Sequence, residues 1–201
     1  MNRQTLKITL PLVLLGIGFS SPLLAKEFSY NYAELGVADV EVDDNDGDYI
    51  YGGGSLSLNS DVFIRGSLGS LDFEPGEADV ISLGVGHPMS ISQRSDLVLA
   101  VDYSYLDPDR GSGDSDTLTA SAMSRTWLTN NVEGNLYGGF AYADYDRGDD
   151  SGAILGAGIR LYVAPQISVA ADFRRSFVGD LDTDSIGISG RVQFSVSYTH
   201  L

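Results

Sequence analysis

From residue 28 to residue 194 the chain repeats one pattern. Apolar and polar positions alternate for ten or more residues, break at a polar stretch, and resume. Strand side chains point to opposite faces with period two, so each run predicts a β-strand with one greasy and one polar face. The clearest run is 95–106, where Leu97, Leu99, Val101, Tyr103 and Tyr105 share a face opposite Asp96, Val98, Ala100, Asp102 and Ser104. The last run sets Ile186, Ile188, Gly190, Val192 and Phe194 against Ser185, Gly187, Ser189, Arg191 and Gln193. Ten strands are predicted, at 28–40, 49–58, 61–73, 79–89, 95–106, 116–128, 132–145, 151–163, 167–177 and 184–194. Eight would remain if the weaker fourth and sixth runs are not strands.

The breaks between runs fall into two alternating classes. One is acidic and often Gly-rich, as at Asp43-Asp44-Asn45-Asp46-Gly47-Asp48 and Asp107-Pro108-Asp109-Arg110-Gly111-Ser112-Gly113-Asp114. The other is tight and nearly neutral, as at Asn59-Ser60, Thr129-Asn130-Asn131 and Ala164-Pro165-Gln166. A soluble sandwich has no reason to sort its loops this way, whereas transmembrane barrels pair short periplasmic turns with longer outer loops. Strands of this length also suit a tilted crossing of the bilayer. The fold expected is all-β: a closed antiparallel up-and-down transmembrane β-barrel of ten strands, greasy face outward.

The N-terminus supports export. Arg3 and Lys7 precede an apolar run from Ile8 to Phe19, then small residues and Ala25, with no acid before Glu27. That is the order of a secretory signal peptide, and the run is short of the about 20 residues a spanning helix needs. The chain is therefore divided into a signal peptide at 1–25, a barrel at 26–194 and a tail at 195–201. Cysteine is absent, so the exported chain makes no disulfides. Loss of Arg3 and Lys7 with the leader deepens the formal charge from −16 to −18. Such acidity argues against nucleic acid and anionic lipid surfaces as partners.

Segments such as Tyr30-Asn31-Tyr32-Ala33-Glu34-Leu35-Gly36 and Gly156-Ala157-Gly158-Ile159-Arg160-Leu161-Tyr162 resemble small Gram-negative outer-membrane β-barrels, OmpA-type and porin-like. The likeness is one of pattern over the whole exported chain, not of a single motif. A closing strand ending in Phe194 is similar to the terminal strand of that family. The resemblance implies an outer-membrane location, contact with lipid and lipopolysaccharide, and recognition of Ile186, Ile188, Val192 and Phe194 by the barrel-insertion machinery. A monomer is expected. The last six residues, Val196-Ser197-Tyr198-Thr199-His200-Leu201, resemble a translated transposon end; the tail is read as non-native and His200 carries no assigned role.

Candidate chemistry lies on the polar faces. Alternation points Glu34, Asp102, Glu133 and Asp172 inward, together with Arg65, Arg125, Arg160, Arg174 and Arg191. A barrel of this size has a lumen just wide enough for side chains. Charges there need partners, so an ionic network closing the lumen is expected, with a narrow porin-like channel as the alternative. Asp44, Asp46 and Asp48 carry a weak resemblance to a calcium loop, but the terminal Glu and flanking helices are missing. A solvated surface is the better reading, and no metal or cofactor is expected. An adhesin or cation-binding role for the acidic loops is the second alternative. His87 falls near the periplasmic end of its strand without Ser or acid neighbours, so no enzyme is expected. Tyr30, Tyr49, Tyr51, Tyr103, Tyr105, Tyr142 and Tyr162 sit near strand ends and are read as girdle residues at the membrane interface. The loop sorting predicts that a tag inserted at Ser112 is accessible on intact cells and one at Asn130 is hidden. Labelling of both, or the reverse, overturns the topology.

Overall fold

The computed structural model describes residues 27–42, 45–73, 76–109, 113–145, 148–179 and 181–195. The expected leader at 1–25 and the tail beyond Ser195 lie outside the described residues. Ten strands follow in order: β1 (Tyr32–Val42), β2 (Asn45–Ser57), β3 (Phe63–Phe73), β4 (Gly76–Ser92), β5 (Ser95–Pro108), β6 (Ser115–Trp127), β7 (Val132–Tyr145), β8 (Gly148–Ala164), β9 (Ile167–Val178) and β10 (Leu181–Gln193). Each pairs antiparallel with its sequence neighbours, and β10 pairs with β1 from Tyr32↔Gln193 to Val42↔Thr183. The sheet is closed. Ten strands, not eight, form the barrel, and both doubtful runs are full members of it.

The two faces separate as alternation predicts. Leu35, Leu68, Leu83, Leu136 and Ile186 are each more than 60% exposed on the outside of the barrel, at positions where a soluble protein would bury them. They form part of an apolar belt that continues around every strand. On the inner face, Val98 and Ala141 are each 1% exposed. In hydrocarbon every backbone polar group must be satisfied internally, and a closed sheet does this because it has no edge.

Several strands reach further than the alternation indicated. β4 and β8 have 17 residues each. At about 3.3 Å per residue such a strand runs ~55 Å, and tilted at ~45° it rises ~40 Å, well beyond a belt of about 25 Å. The surplus lies largely at one end, where residues expected in acidic loops continue the sheet. Asp46 and Asp48 in β2, Glu77 in β4 and Asp182 in β10 are such residues, and they are exposed on the outward face together with Asp79 and Asp116, which the alternation already places in strands. Among the described residues, acid-bearing strand ends make much of this rim. Where β9 turns into β10, Gly179 adopts φ +69°, a left-handed conformation that a side chain would strain.

The opposite end carries the short turns. Asn59 Oδ1 accepts from the backbone N–H groups of Asp61 and Val62 at 2.8 and 2.9 Å. Thr129 Oγ1 accepts from Val132 N–H at 3.1 Å. The first and last described residues lie here too. β1 begins at Tyr32 and not at residue 28, because 28–31 leave the wall of the barrel.

The face assignment is tested within one strand. Leu83→Arg puts a charge on the lipid face and is expected to cost about 2–4 kcal/mol near the midplane. Ser82→Ala removes one lumenal hydroxyl, which lies 2.9 Å from Ser104 Oγ, and is expected to cost about 1 kcal/mol or less. Urea unfolding of the bilayer-inserted barrel reads both; equal losses would mean that β4 has no lipid face.

Candidate functional site: the barrel lumen

Strand parity sends the charged side chains inward, and the register decides which of them meet. At the short-turn end, Arg125 of β6 and Glu133 of β7 form a two-point pair, Nε–Oε1 at 2.7 Å and Nη2–Oε2 at 3.0 Å. Each side chain is only 3% exposed. Tyr162 Oη donates to Glu133 Oε2 at 3.0 Å, and Gln193 Nε2 donates to that same Tyr162 oxygen at 3.1 Å. Higher in the lumen, Glu34 is shared by two arginines, with Oε2 2.8 Å from both Arg160 Nη2 and Arg191 Nε. Arg160 also donates to Ser168 Oγ at 3.2 Å. Arg65 grips Asp102 through Nε at 2.6 Å and Nη2 at 2.5 Å. Charge-assisted two-point contacts of this kind are the stronger class of hydrogen bond.

Asp172 and Arg174 stand apart from these pairs. Asp172 Oδ1 meets only the Asn135 amide, at 3.4 Å, and the Arg174 guanidinium lies 5.1 Å from the Tyr137 ring centre. Neither has an ion pair among the described residues. Glycines make room for two of the carboxylates. A Cβ at Gly84 would collide with Asp102 Oδ1, and one at Gly158 with Asp172 Oδ1.

A second layer lay beyond the reach of strand periodicity. Residues 28–31 cross the short-turn mouth and put two aromatic rings inside it. Phe28 stacks on Trp127 with ring centres 5.3 Å apart, and Tyr30 stacks on Phe63 at 4.9 Å. The Arg125 guanidinium lies over both incoming rings, 4.6 Å from Phe28 and 5.0 Å from Tyr30. Tyr30 Oη donates to Asp96 Oδ2 at 2.9 Å, and Trp127 packs against Tyr162 at 4.9 Å. Asp96 and Trp127 carry the lumenal parity of Asp102 and Arg125, and that parity was the available signal. Phe28 and Tyr30 share the lumenal parity of Glu34, but alternation alone placed them on a wall strand and not across the mouth.

The girdle reading of the tyrosines is corrected in part. Tyr103, Tyr105 and Tyr142 face outward, the first two donating to Asp116 and Asp114 respectively. Tyr30 and Tyr162 belong to the lumenal layer, and Tyr49 and Tyr51 stack on each other at 5.4 Å on the inner face of β2. Their parity, opposite to Ile50, outweighs their nearness to a strand end. Above the aromatic layer the lumen holds a cavity of about 440 Å³. Its lining includes Tyr49, Tyr51, Arg65, Asp102, Asp172 and Arg174. His87 is exposed on the outward face, with Nδ1 2.5 Å from the Asp61 carbonyl and no acid or Ser oxygen bonded to it among the described residues. Asp46 and Asp48 are exposed, Asp44 lies outside the described residues, and no metal-holding cluster occurs among the described residues. Ile186, Ile188, Val192 and Phe194 all face outward and exposed at the seam.

No family model and no curated protein matches the chain. Solved structures do. The beta domain of the Bordetella autotransporter BrkA overlaps 81% of this chain and 98% of its own at a TM-score of 0.61 and 8% identity. A bacterial polysaccharide outer membrane secretin overlaps 84% of this chain and 67% of its own at a TM-score of 0.52 and 14% identity. Neisserial surface protein A overlaps 83% and 98% at a lower TM-score of 0.46 and 18% identity. The chain has the closed-barrel fold of the first two, which is the fold of bacterial outer-membrane β-barrels, and its belt of exposed apolar side chains is the lipid-facing wall that fold requires.

The lumenal pairs differ in how much depends on one partner. Arg125→Ala leaves Glu133 buried with only a tyrosine hydroxyl, and is expected to cost about 3–5 kcal/mol. Arg160→Ala leaves Glu34 still paired with Arg191, so a clearly smaller loss is expected. Unfolding of the detergent-folded variants measures both; a greater loss for Arg160→Ala would refute this ordering.

Proposed function

We propose that this barrel is a non-catalytic component of the outer membrane with a structural or surface-interaction role, its lumen closed toward the periplasm. The observation that carries the reading is the layer built from Arg125, Glu133, Trp127 and Tyr162 with the incoming rings of Phe28 and Tyr30. A hydrated pore has no use for a fully desolvated arginine–glutamate pair beneath stacked aromatics. Such a pair is retained where water is kept out. The segment at 28–31 is the part of this closure that the wall does not supply. It is held by Asn31, whose side-chain oxygen accepts from Ser57 N–H at 2.7 Å and whose carbonyl accepts from Phe194 N–H at 3.1 Å.

The exposed acidic strand ends project at the other rim. We read them as a solvated outer surface that meets lipopolysaccharide, with divalent cations bridging acid to phosphate. The barrel contains everything needed for closure within one chain, which favours a monomer. A narrow channel is the second reading. The cavity above the layer favours it, because removal of the 28–31 segment would join that space to the periplasm.

Conductance in planar bilayers separates the two. Wild-type protein is expected to show little or no steady current, and the double variant Phe28→Ala, Tyr30→Ala a measurable one. A large, stable wild-type conductance overturns the closed reading and promotes the channel.

A further inference from the structure

We propose that the lumenal cavity is a binding site for a small zwitterion, such as a free amino acid or a dipeptide carrying one carboxylate and one ammonium group. The starting observation is an asymmetry among the lumenal charges. Arg65, Arg125, Arg160 and Arg191 each hold a carboxylate within 2.8 Å. Asp172 and Arg174 do not hold one another, nor any other charge, among the described residues. They stand two positions apart on the same face of β9, so their Cα atoms are about 6–7 Å apart. Opposite charges at that spacing could pair across the gap. Instead both side chains turn sideways.

The register explains the turn. Asp172 is paired with Gly158 of β8, which is paired with Asn135 of β7; Arg174 is paired with Gly156, which is paired with Tyr137. The acid reaches over one glycine to the Asn135 amide, and the arginine lies near the Tyr137 ring beyond the other. Gly156 and Gly158 thus form a floor between two walls, one anionic and one cationic, with the Asp172 carboxylate lying over Gly158. A Cβ at Gly158 would strike both the Asp172 carboxylate and the Asn135 amide, so this floor exists only without a side chain. Asp172, Asn135, Arg174, Tyr137 and Gly156 line the cavity of about 440 Å³ together with the stacked Tyr49 and Tyr51, while Gly158 lies beneath the Asp172 carboxylate.

The chemistry selects the ligand class. A lone anion would gain from Arg174 but meet Asp172, and a lone cation the reverse. A molecule with both charges satisfies each with its opposite, and complementary placement of charge is what makes such recognition specific. The tyrosine hydroxyls add donors, and the ring faces can cover the ligand's apolar part. Binding is read independently of conductance, so a conducting lumen does not by itself refute this site.

The test uses the full exported barrel folded in detergent, titrated calorimetrically with alanylalanine, and with acetate and methylammonium as single-charge controls. Saturable heat is expected for the dipeptide and none for either control. Asp172→Asn, which keeps side-chain size, and Arg174→Gln, which removes the charge and shortens the side chain, should each weaken the dipeptide at least about tenfold, a loss near 1.4 kcal/mol. Gly158→Ala should weaken it similarly although both charges remain, because the new Cβ displaces Asp172. Unchanged unfolding temperatures show that the variants are folded. No saturable heat in the wild type, unchanged binding in the variants, or acetate binding as tightly as dipeptide would each overturn the proposal.

Discussion

Hydrocarbon offers no hydrogen-bond partner, so every peptide group in the wall of this protein must find one within the wall. The rest of the architecture follows from that demand. A sheet meets it only by returning to its first strand, and the β1–β10 pairing is that return. Closure fixes an inside and an outside. Period-two alternation then obliges each strand to carry one face for lipid and one for the lumen. Leu83 beside Ser82 and Leu136 beside Asn135 are the same decision taken on different strands.

Closure also sets the terms for charge. A charged side chain on the wall goes inward or beyond the belt, since at mid-bilayer it costs several kcal/mol. The chain uses both solutions and keeps them separate. Arginines and a few acids share the lumen, most of them in close pairs. Most of the remaining acids stand on strand ends past the belt, where Arg175 is held by Asp182 and Asp184 at 3.0 and 3.6 Å. Among the described residues the excess of acid thus gathers mainly at one rim.

Strand number, order and facing were legible in the sequence because each strand states its own parity. Glu34, Arg65 and Asp102 could be placed in the lumen from their neighbours alone. Their partners could not, because which arginine meets which acid depends on register and stagger around the whole barrel. Glu34, for example, meets Arg160 from β8 and Arg191 from β10. The residues at 28–31 were read as part of a strand since Tyr30 and Tyr32 continue the alternation. Their departure into the mouth is decided by Trp127, Phe63 and Arg125, which are distant in sequence. Acid-rich segments were read as loops because composition reports solvation, and a strand that leaves the membrane is as solvated as a loop.

Asn31 has a further consequence, and it concerns time. Its carbonyl receives the N–H of Phe194, and its side chain receives that of Ser57. One residue near the start of the barrel is therefore held by one near its very end. Contacts so far apart along the chain pay the largest loop-closure entropy and form late. Until the final strand has arrived, Asn31 has lost one of its two anchors and the aromatic segment before it is only half fastened. The mouth would then be the last part of the molecule to become quiet, shutting as the seam is completed and not while the wall is still being laid down.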